Sequence, residues 1–413
     1  MTKEAGIVYD WSKHEGPEKP VRQEQSYIEL LDETFRDGLQ GIQVDLHPSE
    51  EEKKIYLELT SKYADRVDLG YPGSEDGHKG EIARLLRYVI EKKLDIKPIV
   101  TGRGADVSDI CPIIDISHEL DGYPVGAYVF LDGSTERATL QGWNRREKIS
   151  QLEQNINLLI KHSIPVAFVA ERSSSTNPDE LREVLEVAAN AGSKTLVITD
   201  TQGRANPKAI SRLCRWVADT FSSYPDLSLE AHFHNSRGMA IANSIEAAHE
   251  GFDRIDVTFA GIGEGAGNAD YLITLINLNM EGFRHDYLKD LKKFKKIASE
   301  ILKYSIPSNT PFYGESAFAT GSGIHASAIL KEAGHHRQDQ IYFCIDPVEI
   351  GEEIVVKIGP FSGQSSIIYV LMQEGIKPTE EMVRSIFSEA KSSRGYLSKA
   401  TILGIAERYI KTY

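Results

Sequence analysis

Residues 165–203 read PVAFVAERSSSTNPDELREVLEVAANAGSKTLVITDTQG. An apolar run (165–171) ends in Glu171. The next segment (179–192) places apolar residues at three- and four-residue steps and stops at Gly192, a helix C-cap glycine. A second apolar run (195–203) then carries Thr199-Asp200-Thr201. The pattern is strand, helix, strand, the unit of a parallel sheet. The same rhythm extends in both directions, with apolar runs at 27–35, 66–73, 95–100, 124–133, 227–235 and 254–263 and a helical stretch at 148–162. Eight strands alternating with helices predict an α/β chain built on a (β/α)8 TIM barrel over residues 26–284. A doubly wound sheet of six or seven strands is the other reading, but no GxGxxG follows the first strand.

Outside those limits the pattern changes. Residues 1–25, with Gly6, Gly16, Pro17, Pro20 and many charges, read as an extended N-terminal arm. Residues 285–413 read as a helical C-terminal lid or dimerisation region, with helices at 324–332, 364–374, 378–391 and 398–410. Of the 413 residues 41% are hydrophobic and 26% charged, a globular balance that excludes a mostly disordered chain. No apolar run is long enough for a membrane helix, and the N-terminus lacks the apolar core of a signal peptide. Cys111, Cys214 and Cys344 lie far apart, without zinc or disulfide spacing, so a reducing cytoplasmic location is expected. The net charge of −14 argues against nucleic acid and against anionic membranes as partners, and leaves small molecules.

Polar residues close nearly every apolar run: Asp32-Glu33-Thr34 with Arg36-Asp37, Glu171-Arg172, Thr199-Asp200-Thr201, His232 to Asn235, and Glu264 to Asn268. In a barrel those strand ends converge on one mouth, where active sites lie. His232 and His234 stand two apart on a strand, so both imidazoles share one face. Alone, such a pair also reads as two hydrogen-bonded histidines beside a helix N-terminus. Asp37 follows strand one, which a closed eight-strand barrel brings within two places of strand seven. One carboxylate and two imidazoles suit a divalent metal with positions left open for substrate.

Three segments carry a resemblance: Asp32-Glu33-Thr34-Phe35-Arg36-Asp37-Gly38-Leu39-Gln40, His232-Phe233-His234-Asn235, and Gly261-Ile262-Gly263-Glu264-Gly265-Ala266-Gly267-Asn268-Ala269. Together they resemble the signatures of the DRE-TIM metallolyases. Residues Ser322 to Lys331 resemble the branch of isopropylmalate, citramalate, homocitrate and Re-citrate synthases, and the likeness runs from about 27 to 375. The resemblance implies one divalent metal (Mg, Mn or Zn) on Asp37, His232 and His234, approached by Asn268. It implies Arg36 as oxyanion stabiliser, Gln40 beside it, and Glu171 and Thr201 lining the pocket of a 2-oxo acid. It implies His325 as a catalytic histidine lent to the neighbouring subunit, hence a homodimer with swapped C-terminal regions. Glu230 matches a glutamate that works with that histidine, and Tyr342 matches a catalytic tyrosine. The implied reaction is a Claisen condensation of acetyl-CoA, as co-substrate, with a 2-oxo acid in amino-acid biosynthesis, an acyl transfer that releases CoA.

Several positions depart from that pattern. Ser236 follows His-Phe-His-Asn where relatives carry an acidic residue, Gly265 replaces an arginine, and Gly359-Pro360-Phe361-Ser362-Gly363 replaces a glycine-lysine-histidine-serine-glycine segment. After strand three, Thr101-Gly102-Arg103-Gly104-Ala105 offers Arg103 as the acceptor-binding cation but no histidine. The other readings are a retro-aldol lyase of the hydroxymethylglutaryl-CoA type and a non-catalytic acyl-CoA-binding relative.

Overall fold

The computed structural model describes residues 9, 11–17, 20, 22, 25–74, 78–120, 122–123, 125–332 and 343–410. Eight parallel strands run β1 (Glu29–Asp32), β2 (Arg66–Asp68), β3 (Lys97–Arg103), β4 (Gly126–Leu131), β5 (Val166–Ala170), β6 (Thr195–Asp200), β7 (Ser228–Phe233) and β8 (Arg254–Val257). Each pairs with the next, and β8 returns to β1, so the sheet is a closed barrel and not an open one.

The helices between strands form where local chemistry allows. In the helix Arg145–Lys161, the Asn144 side chain accepts from the Glu147 amide and caps the first turn. Ile149, Leu152, Ile156 and Leu159 make its buried stripe at three- and four-residue spacing. In Pro178–Asn190, Asn177 caps, Pro178 opens the first turn, and Leu181, Val184, Leu185 and Ala188 face inward. Gly192, at φ +109°, lies just past the end and supplies the backbone turn toward β6.

Inside the barrel, Leu31, Ile99, Tyr128, Val169 and Val197 form an apolar layer. Below it the closure is ionic. Glu29 of β1 stands in register with Arg254 of β8, and Arg254 with Glu230 of β7. Arg254 Nε is 2.7 Å from Glu29, and an NH1 nitrogen is 2.6 Å from Glu230. Arg66 (2.9 Å) and Lys97 (3.2 Å) also reach Glu29, which ties β1 to β2, β3 and β8.

The chain divides into two compact units: Met1–Asp286 with Ile297–Tyr304, and Tyr287–Lys296 with Ser305–Tyr413. The second half of the helix Leu291–Leu302 thus belongs with the barrel, although the sequence reading assigns all of 285–413 to the C-terminal region. The described part of the N-terminal arm is docked, not loose. Trp11 is buried, its indole donates to the Ser173 carbonyl at 3.2 Å, and its ring lies 5.2 Å from that of Trp216.

The second unit holds a short parallel pair, β9 (Ala319–Thr320) and β10 (Val355–Val356), and the helices Gly323–Glu332, Gln364–Gln373, Glu380–Ser392 and Lys399–Ile410. Its own core includes Ile358, Ile367, Leu371, Ile386, Ile402 and Ala406. Among the described residues, no helix is long and apolar enough to cross a membrane.

Candidate metal centre and active site

Residues at the C-terminal ends of β1, β7 and β8 meet because β1 and β7 flank β8 in the closed ring. After β1 the chain turns through the one-turn helix Gly38–Gln40, and Asp37, its N-cap, is buried. His232 and His234 leave β7 on one face. Their Nε2 atoms are 3.2 Å apart, and Asp37 Oδ2 lies 3.9 Å from the first and 3.8 Å from the second. Bonds of about 2.1 Å to one ion would set neighbouring donor atoms about 3.0–3.5 Å apart, so three donors at this spacing need little adjustment to bind it. Asn268 donates from Nδ2 to Asp37 Oδ2, while its buried Oδ1 has no hydrogen-bond partner among the described residues. The loop that carries it requires glycine. At Gly263 (φ +148°) a Cβ would collide with the Asn268 amide, and at Gly267 (φ +84°) with the Gly261 carbonyl.

Electrostatics prepare the same donors. Burial lowers the His232 pKa well below its ordinary value, and His234 and Arg36 lower it further, so the ring is neutral and offers a lone pair. Burial pushes the Asp37 carboxyl up, but Arg36, His232, His234 and the Asn268 hydrogen bond outweigh it and hold the carboxyl below its usual range. His232 Nδ1 lies 3.1 Å from Asp256 Oδ2, a carboxylate partner that fixes the tautomer leaving Nε2 free for an ion. Asp256 is itself crowded. Burial, then Glu230 and Glu33, drive its pKa well up.

Above the donors a cavity of about 280 Å³ opens at the barrel mouth. Arg36, Asp37, Gln40, Glu171, Thr201, His232 and His234 all line it, together with Tyr71, Phe130 and Val169. Arg36 is gripped by carboxylates: Glu33 in close contact, Asp37 Oδ1 at 3.5 Å and Asp68 Oδ2 at 3.7 Å. Thr201 Oγ1 accepts from the Arg172 amide at 3.0 Å and lies 3.0 Å from Thr199 Oγ1. The Glu171 carboxyl is raised by burial and by Asp132.

Two barrel residues of the sequence reading, Arg103 and Glu230, do not line this cavity. Arg103 is turned away: Asp109 holds it at 2.6 and 2.8 Å, Asp106 at 3.1 Å, and its Nε also donates to Tyr71 Oη at 2.8 Å. A half-exposed guanidinium between two carboxylates has no reason to cross into the cavity. Glu230 sits one layer below, with one oxygen on Arg254 and the other 2.8 Å from Tyr128 Oη. It is linked to His232 through Asp256, which contacts both. His325 is exposed in the first turn of Gly323–Glu332, within the C-terminal unit. Tyr342 lies outside the described residues.

Sequence reasoning gave no role to Tyr128, Asp256, Asp68 or Glu33, which surround the metal donors and Arg36. Period-two alternation carries the missed signal. Polar residues at inward strand positions, such as Arg254 and Asp256 in β8, have to find partners inside the barrel.

A TIM barrel with a cluster of carboxylate and imidazole donors at its C-terminal mouth is the class this geometry defines. The chain belongs to the HMGL-like family, whose description matches residues 27–301, and it is an enzyme of the DRE-TIM superfamily. It is 28% identical over 385 residues to a 2-isopropylmalate synthase of Nitratidesulfovibrio vulgaris, covering 89% of this chain and 70% of that one. It is 27% identical over 373 residues to homocitrate synthase AksA of Methanopyrus kandleri, covering 88% and 87%. Among solved structures, an HMG-CoA lyase of Bacillus subtilis superposes with a TM-score of 0.58 at 17% identity, covering 70% of this chain and 97% of that one. That likeness is one of fold.

Proposed function

We propose that the protein condenses acetyl-CoA with a 2-oxo acid in a metal-dependent Claisen reaction and releases CoA. The observation that carries this reading is one cavity floor holding both the Asp37, His232, His234 donor set and the guanidinium of Arg36. The likeness to alkylmalate and homocitrate synthases supports it.

Asp37, His232 and His234 would hold a divalent ion, with Mg, Mn or Zn all compatible with a mixed N/O set. Bound there, the ion supplies a Lewis acid that polarises the acceptor's ketone. The chain's residues do the rest. Arg36 presents a fixed cation to the thioester oxygen as the acetyl methyl loses a proton and the enolate forms. His325 is the proposed base, delivered from the partner of a homodimer with exchanged C-terminal units. The methyl carbon then bonds to the keto carbon of the acceptor. Water cleaves the thioester, the CoA thiol leaves and a carboxylate remains, which makes the step irreversible. Glu171 and Thr201 orient the acceptor, and Gln40 stands at the rim beside Arg36.

The test is release of thiol from acetyl-CoA. Release should need both a 2-oxo acid and a divalent ion, stop with a chelator, and return when the ion is restored. Cleavage of hydroxymethylglutaryl-CoA without any 2-oxo-acid-dependent thiol release would refute condensation in favour of a lyase.

A further inference from the structure

We infer that the acceptor is a 2-oxo acid with a single carboxylate and an uncharged side chain, because Arg36, the guanidinium among the described residues lining the cavity, lies on the metal side, while across from it the lining offers rings, methyls, hydroxyls and the Glu171 carboxyl. This rests on the condensation proposed above and narrows its acceptor.

The metal donors come from the β1, β7 and β8 side of the ring, so a 2-oxo acid held there by its carboxylate and ketone extends its side chain across the barrel. On that side β3, β4 and β5 present Thr101, Tyr128, Phe130, Val169 and, just past β5, Glu171, with Tyr71 beside them from the loop after β2. The Tyr71 and Phe130 rings meet edge to face with centroids 6.4 Å apart, which leaves ring surface rather than hydrogen-bond donors along much of it.

A second carboxylate placed there would need a cation. Among the described residues lining the cavity, Arg36 is the permanent cation, and it lies on the metal side among Glu33, Asp37 and Asp68. Arg103, the nearest candidate after β3, is held by Asp109 and Asp106. Arg172, after β5, is paired with Asp132 at 3.3 Å and with Glu136 at 2.7 Å. The charge of Arg137 acts on Glu171. The rim at β4 and β5 therefore presents Asp132, Glu136 and Glu171 against Arg137 and Arg172, three carboxyls to two guanidinia. Arg137, whose Nε is buried without a hydrogen-bond partner among the described residues, does not line the cavity, so a distal carboxylate inside it would be desolvated beside the Glu171 carboxyl with no lining cation on that side. An apolar side chain there only gains contact.

The experiment compares kcat/KM for thiol release across acceptors with the metal-loaded protein. 2-Oxoisovalerate, 2-oxobutyrate and pyruvate form one arm, and 2-oxoglutarate and oxaloacetate the other. The best neutral acceptor should exceed both dicarboxylates by roughly 10²-fold or more, the scale on which an unmatched buried charge is rejected. Val169→Ala, checked for folding by its thermal melt, tests the wall directly. It should shift the ratio of 4-methyl-2-oxopentanoate to pyruvate at least about fivefold toward the larger acceptor, since removed methylene-sized groups count on that scale. Phe130→Leu serves the same purpose should Val169→Ala fail to fold. Equal or better turnover of a dicarboxylate overturns the acceptor assignment and leaves the condensation standing, as does an unmoved size ratio in a folded variant. Thiol release with none of the five acceptors overturns the condensation and this inference with it.

Discussion

Asp256→Asn is expected to weaken metal binding without weakening the apo fold. The side chain is fully buried, with Oδ2 3.1 Å from His232 Nδ1 and 2.7 Å from Tyr128 Oη, while Oδ1 has no hydrogen-bond partner among the described residues. Asparagine keeps the volume and one oxygen that accepts from His232 Nδ1. It loses the negative charge that makes the imidazole a stronger donor. Loss of a carboxylate partner behind a metal-ligating histidine costs about 10–100-fold in affinity. Retention of an acceptor puts this variant at the lower end, about 10-fold or ~1.4 kcal/mol. The fold should change little. Burial, then Glu230 and Glu33, already disfavour a charge on Asp256, so a neutral amide there costs the apo fold little, and it can donate toward Glu230. Competition against a fluorescent chelator with Mn²⁺ or Zn²⁺ measures the affinity, and a thermal melt of chelator-treated protein measures the fold. Unchanged metal affinity would show that Asp256 does not support His232. An apo melting temperature several degrees lower would show that the carboxyl contributes net stability.

Glu29→Gln tests the ionic closure of the barrel. Burial pushes the Glu29 carboxyl up, but Arg66, Arg254 and Lys97 hold it down at about 2. A lowered folded pKa contributes stability that is fully present above the unfolded value of ~4.5 and is lost as pH falls toward 2. Two and a half pH units correspond to about 3 kcal/mol, discounted to about 2 for partial exposure. Urea melts should show the variant less stable by that amount at pH 7, with the gap roughly halved by pH 3; a gap constant with pH would refute the linkage. Arg36→Lys keeps the charge but loses the planar fork, and kcat should fall roughly 10²-fold or more with less change in acceptor KM; unchanged kcat would make Arg36 structural. Mixing inactive His232→Ala and His325→Ala proteins should restore activity on subunit exchange, up to about half of the sites in each hybrid dimer. Verified exchange without recovery would remove His325 from the partner's active site.

Much of the site was legible along the chain because it is written in local terms. Alternating apolar runs and amphipathic stretches specify strand, helix, strand, and eight repeats leave a closed barrel as the economical solution. The i, i+2 spacing of His232 and His234 fixes their shared face, since strand side chains alternate whatever the fold. Arg36-Asp37 after the first strand was readable for the same reason: strand ends of a barrel converge. Pairing among inward side chains was not readable. Arg254 was a charge in an apolar run until closure put β8 between β1 and β7, which gave it Glu29 on one side and Glu230 on the other. The same closure took Glu230 below the mouth and set Tyr128, from the far side of the ring, between two carboxylates. Arg103 shows the limit most directly. In sequence it is a basic residue at a strand end, the usual mark of an anion site. Only the helix Val107–Glu119 folding back to place Asp109 against it decided that this charge was already taken. Covalent order sets which way each side chain faces; which opposite charge it meets depends on residues brought close in space, and that is a property of the closed barrel alone.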